Sequence, residues 1–75
     1  MAEYNGHRNW NHWNVSLWLF NDEGLYRLMR QAVRHHSTLD AAARRLVSCY
    51  LPSETPDGAP YTFTSVRAAL VGWEE

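Results

Sequence analysis

The chain has no lysine. Its seven basic side chains are all arginines, and they stand against eight carboxylates, for a formal net charge of −1. A strongly acidic mimic of DNA carries a far larger excess of carboxylates, and a dedicated nucleic-acid binder is usually basic, so neither extreme applies. Cysteine is almost missing as well. With Cys49 alone, no disulfide can form within the chain, which fits a reducing compartment. No long apolar run exists. The nearest, Val15 to Phe20, contains Ser16 and falls far short of the roughly 20 residues of a membrane span. Met1 to Asn14 is polar and has no apolar signal-peptide core. These absences predict a cytoplasmic protein that neither spans a membrane nor carries a secretory signal. Internal repeats, low-complexity segments and glycine-rich phosphate loops are also missing.

Seventy-five residues allow one hydrophobic core, and a domain of that size is only marginally stable without added support. Aromatic side chains are the visible support. Four Trp and four Tyr are present, and each large ring buries roughly 150–250 Å².

Hydrophobic spacing predicts four helices. Residues 1–9 form a polar lead-in, with Asn5-Gly6 a turn dipeptide and Asn9 or Asn11 a helix cap. The first helix runs from Trp10 or His12 to Phe20. Trp10, Trp13, Leu17 and Phe20 make one apolar face, and Val15, Trp18 and Leu19 widen it. A strand over Val15 to Phe20 is the alternative, since short apolar runs are ambiguous. Asn21 to Gly24 is a connector whose Asp22 and Glu23 suit the positive end of the next helix. That second helix spans Gly24 or Leu25 to His35, with Leu25, Leu28, Met29, Ala32 and Val33 facing inward. Ser37 or Thr38 caps the third, with Ser37 and Asp40 resembling a capping box. Its inward face is Leu39, Ala42, Ala43, Leu46, Val47 and Tyr50, and Pro52 stops it. Residues 52–60 form a loop with three prolines and the turn signal Pro56-Asp57-Gly58. Tyr61 to Thr64 reads as extended. Thr64 or Ser65 then caps a last helix that faces Val66, Ala69, Leu70 and Trp73 inward. The expected fold is an all-α, compact four-helix single domain over residues 1–75, monomeric, with a proline-rich loop before the last helix.

The stretch Tyr4 to Leu28 resembles a family of small proteins encoded by phages and other mobile elements. Their shared pattern reads roughly Y-x-G-x-x-N-x-x-T-W-x-V-x-L-W-x-x-N-D. Tyr4, Gly6, Asn9, Trp13, Val15, Leu17, Trp18, Asn21 and Asp22 match it, whereas His12 stands where Thr is usual. Thr55 to Pro60 and the helix after it extend the likeness to about two-thirds of the chain. The resemblance carries no catalytic residues. It implies an accessory gene of the anti-CRISPR kind, with a type I surveillance complex of the host, of subtype I-C, as the partner.

Catalytic and metal chemistry finds little footing. A nucleophile needs a base and a group that orients the base. Cys49 lies beside Leu46 and Tyr50 on the third helix and reads as a semi-buried packing thiol. His7, His12, His35 and His36 form two clusters, and adjacent His35 and His36 point to different faces of one helix. Zinc, which needs three or four converging ligands, is therefore not expected. No catalytic residue, cofactor or metal site is assigned.

The sharpest surface feature is arginine. Arg27, Arg30 and Arg34 fall at i, i+3 and i+7 on the second helix, opposite Leu28, Met29 and Ala32, and Arg44 and Arg45 extend the set. An ordinary solvated helix face explains such a stripe. A docking patch for an acidic protein surface or phosphates explains it too. Asp22 and Glu23 offer an acidic alternative. Trp18 and Trp73 are candidate exposed aromatic anchors.

Two functional readings follow. One is a stoichiometric inhibitor that binds a host protein or ribonucleoprotein complex, the CRISPR surveillance complex in the version that the resemblance implies, and blocks recruitment of target DNA. The other is a helix-turn-helix DNA binder, built from the first helix, a turn with Gly24, and the arginine-bearing second helix. Phe20 counts against it, because close crossing of the two helices needs a small residue there.

Overall fold

A computed structural model describes the backbone of residues 9–74 and the side chains of residues 9–72. Four helices build it: α1 (Trp10–Asn21), α2 (Glu23–His35), α3 (Leu39–Arg45) and α4 (Phe63–Glu74). A π-helical segment, Leu46–Tyr50, continues directly from α3. The fold is all-α. Among the described residues no β-strand occurs, only an isolated bridge between Glu54 and Pro60. Nor is any described helix long and apolar enough to cross a membrane.

Short polar side chains set the helix starts. Asn9 is extended, and its amide oxygen accepts from the His12 N–H at 2.9 Å, which caps α1. Asp22 is both the end of α1 and the beginning of α2. Its N–H donates to the Trp18 carbonyl at 3.0 Å, and its carboxylate accepts from the Leu25 N–H at 3.0 Å. The link between the two helices is therefore this single residue. A side chain at Gly24 would come within 3.4 Å of the capping carboxylate oxygen. Thr38, not Ser37, caps α3 by accepting from the Ala41 N–H at 3.0 Å. Asp40 is thereby left to pair with Arg67 of α4 rather than to close a box with Ser37.

The start of α4 departs from expectation. It begins at Phe63, so Tyr61 to Thr64 is not an extended segment. Thr62 is the capping residue. Its hydroxyl accepts from the Ser65 N–H at 3.1 Å, while the Ser65 hydroxyl accepts from the Thr62 N–H at 3.0 Å. This reciprocal box satisfies two orphan donors, and it uses Ser65 as the returning partner rather than as the cap.

α4 packs against α1 and α3, α1 against α2, and α2 against α3 and the π segment. Their shared core holds Val15, Leu19, Met29, Ala32, Ala42, Ala43, Leu46, Val66, Ala69 and Leu70, with Ala59 and Tyr61 entering from the loop. On α1 the buried face differs from the expected one. Val15 and Leu19 are fully buried, whereas Trp10 and Leu17 are 40% and 37% exposed. The helix is apolar around most of its circumference, so spacing alone leaves its rotation open. The buried polar residues Asn14 and Ser16 share the inward side.

Candidate docking face, cleft and loop lock

The surface of α2 that faces away from the core carries Arg27, Arg30 and Arg34, all exposed. Arg27 lies 3.9 Å from Glu23, one turn earlier and almost wholly exposed. Such a pair is screened by solvent and holds its partners weakly. Arg30 sits 6.0 Å from the centre of the Tyr26 ring, at the outer reach of a cation–π contact. Arg34 has no hydrogen bond, ion pair or ring contact among the described residues. Arg44 and Arg45 stand in the last turn of α3, each with a ring contact of its own. Arg44 lies over the Phe63 ring at 4.7 Å, toward α4. Arg45 turns the other way, toward Tyr50 and α2.

Arg45 borders a half-open cleft of about 290 Å³ between the C-terminal half of α2 and the π segment, lined by Leu28, Gln31, Ala32, His35, His36, Arg45 and Tyr50. The π segment shapes it. Its ladder bonds close over five residues, as in Leu51 N–H to Leu46 carbonyl at 2.8 Å. In an α-helix, residues five apart lie about 140° apart around the axis. An i→i+5 ladder instead brings them back to roughly one turn apart. Arg45 and Tyr50 consequently meet, with the guanidinium 6.0 Å from the ring centre. Tyr50, expected on the core face of a continuous third helix, is 52% exposed for the same reason. Cys49 is likewise exposed rather than semi-buried, with its Sγ 3.4 Å from the Ser48 hydroxyl. The histidines are also placed unexpectedly. His36 lies past the end of α2 in extended backbone (φ −123, ψ 145), which lets it border the same cleft as His35. Among the described residues, no three of His, Cys, Asp and Glu gather where they could hold a metal ion.

A second polar constellation ties the proline loop to α1. Asp57 accepts from the Asn14 side-chain amide at 2.9 Å and from the Trp18 indole N–H at 3.0 Å. These two hydrogen bonds hold the Asp57 carboxyl below the ordinary carboxylate range. The other end of the Asn14 amide accepts from the Thr55 hydroxyl at 2.6 Å, and that hydroxyl in turn accepts from the Ala59 N–H at 3.0 Å. Asn11 donates to the Pro60 carbonyl at 2.9 Å. The loop can reach α1 because Thr55 to Gly58 is a tight turn, closed by Gly58 N–H to Thr55 carbonyl at 2.9 Å. Gly58 sits at φ +95, a conformation that any side chain would strain. Trp18, a candidate anchor, is thus half-buried with its one donor already engaged. The Trp73 side chain lies outside the described residues. Asp22 serves as the double cap, and Glu23 projects into solvent beside Arg27.

The sequence profile of one family matches residues 1–72. The chain belongs to DUF7249. This is a family of unknown function, so membership brings no activity to the DUF7249 fold described above. No curated protein and no solved structure matches the chain. Several residues in and around α1 nonetheless have visible structural tasks. Asn9 and Asp22 cap helices, Asn21 donates to the Leu17 carbonyl at 2.8 Å, and Trp18 secures the loop. Sequence reasoning read Asp57 as a turn residue and did not link it to Asn14. The one usable signal was the Thr55-Pro-Asp-Gly turn, which presents a carboxylate at its tip. Gln31 of α2 carried no such signal, and neither did Tyr50, because the π segment reads as ordinary amphipathic helix.

Proposed function

We propose that this protein works without catalysis, as a stoichiometric binding module that docks the arginine face of α2 onto an acidic surface of a larger partner. The observation that carries this reading is the unequal pairing along that face. Arg27, Arg30 and Arg34 share one exposed stripe, yet among the described residues a single, solvent-screened carboxylate, Glu23, answers them. A chain whose net charge is −1 thus presents a locally cationic surface. Arg is well suited to forked pairing with carboxylates. The resemblance to phage and mobile-element genes supports a host-defence complex as the partner. In the anti-CRISPR form of the proposal, the protein occupies a type I surveillance complex and blocks recruitment of target DNA.

Duplex DNA is the less favoured partner. A helix-turn-helix joins its helices by a turn of about three to four residues, whereas Asp22 alone joins α1 to α2. Size-exclusion chromatography distinguishes the two. The protein is mixed with a type I-C surveillance complex, or with random duplex DNA, at two salt concentrations. Co-elution with the complex and loss of its DNA binding is the expected result. Replacing Arg27, Arg30 and Arg34 together by Ala should abolish co-elution while leaving helicity intact. Salt-sensitive DNA binding without co-elution would overturn the docking reading for this complex in favour of duplex recognition.

A further inference from the structure

The stripe is a convex face, but the cleft beside it is concave and differently built. We infer that the cleft between α2 and the π segment is an anchor site for a short acidic peptide segment of the partner protein. It takes a carboxylate against Arg45 and the neighbouring apolar side chain against Leu28, Ala32 and Tyr50. This deepens the docking reading and rests on it for the partner being a protein.

Charge and polarity select the ligand class. Arg45, His35, His36 and Gln31 bring donors to the lining, and no carboxylate is among the lining residues. The two ion pairs of the described residues use Arg27 and Arg67, which leaves Arg45 held only by the Tyr50 ring. Leu28, Ala32 and that ring supply apolar contact area beside the cation. At about 290 Å³ the cleft is at the small end of ligand sites, which run from roughly 300 Å³ upward. It has room for one or two side chains.

The helix end decides between a peptide and a phosphate. His35 and His36 place the cleft at the C-terminus of α2, where the last carbonyls have no partners within the helix. Peptide N–H groups can donate to those carbonyls while a side-chain carboxylate pairs with Arg45. A phosphate group brings no peptide N–H and sets more negative charge against the negative end of the helix dipole. The π segment points the same way. Its hydrogen-bonding pattern is rare in helices and is found disproportionately at functional sites. Here its effect is to bring Arg45 and Tyr50 to one wall of the cleft.

The test is an amide NMR titration of the full chain with three probes. These are acetylated and amidated Glu-Phe-Glu, the matching Gln-Phe-Gln, and uridine monophosphate. Glu-Phe-Glu should give saturable shifts centred on Gln31, Ala32, His35, His36, Arg45 and Tyr50. Gln-Phe-Gln should bind about tenfold more weakly, the difference that losing a charge-assisted pair produces. Arg45→Gln should weaken Glu-Phe-Glu by about the same factor, and Arg44→Gln should not, with circular dichroism confirming that both variants fold. Equal binding of the two peptides, shifts centred away from the cleft, or a stronger response to uridine monophosphate would overturn the inference. Co-elution with the surveillance complex but no peptide response would remove the cleft and leave the docking reading standing. A peptide response without co-elution would do the reverse.

Discussion

Two polar side chains, one buried and one exposed, make opposite predictions about stability. The Tyr61 hydroxyl is buried and has no hydrogen-bond partner among the described residues. Burial, and secondarily the Asp22 charge, push its pKa up, so the neutral phenol is the form that the fold favours. Tyr61→Phe removes a group that lost its hydration and regained nothing, and should stabilise the protein by about 1 kcal/mol. A fall in Tm on thermal denaturation would mean that the hydroxyl is engaged after all. Asp57 is the contrary case. Its carboxyl is held below the ordinary range by Asn14 and Trp18, so the folded state binds the proton less well than the unfolded chain. That stabilisation is complete above the ordinary carboxylate pKa and is lost as pH falls through the lower, folded value. Asp57→Ala should therefore lower Tm at neutral pH, and the gap from the natural protein should close in acid. A gap that stays constant with pH would show that the carboxylate charge contributes nothing.

Among the elements, α1 shows how little spacing says about a helix that is apolar nearly all round. Trp10, Trp13, Leu17 and Phe20 form a regular row, yet the inward side is centred on Val15 and Leu19. What turns the helix is polar. Asn14 must face the loop to reach Asp57 and Thr55, and its burial fixes the rotation. Leu19→Ala should cost about 2–5 kcal/mol, as expected for a fully buried leucine. Leu17→Ala should cost no more than about 0.5 kcal/mol, as for an ordinary surface change. Denaturant melts of the two variants give the comparison directly, and similar losses would put the two leucines on equivalent faces. α2 behaves differently, because its arginines and its leucines are cleanly segregated, and its inward residues Met29 and Ala32 were legible from spacing. The caps were legible to within a residue or two. Asn9 and Thr38 were each one of two candidates, while Thr62 was missed because Ser65 and Thr64 follow it with the same chemistry.

For the whole molecule, the charge distribution matters more than the total. A net charge of −1 hides one cationic face on α2, while Asp57 on the proline loop is engaged with α1. Docking through that face should weaken as ionic strength rises, since exposed charges are screened beyond a Debye length of about 8 Å in physiological salt. Titrating the partner by calorimetry at low and high salt checks this. Affinity that does not change with salt would shift the contact from the arginine stripe to an apolar surface such as Trp10 and Leu17.

The amino-acid sequence alone determined the fold class, the number of helices, the inward face of α2 and the place of the loop. Each of these follows from local periodicity, from capping chemistry or from proline, and none needs a distant partner. Tertiary structure decided the rotation of α1, the locking of the loop by Asp57, and the cleft. Asn14 and Asp57 are 43 positions apart, so their pairing is visible only once the chain has folded back. The π segment is decided in the same way. Leu46 to Tyr50 has the apolar spacing of an ordinary helix, yet in the folded chain it takes the wider turn, packed against α2 and α4, that brings Arg45 to Tyr50.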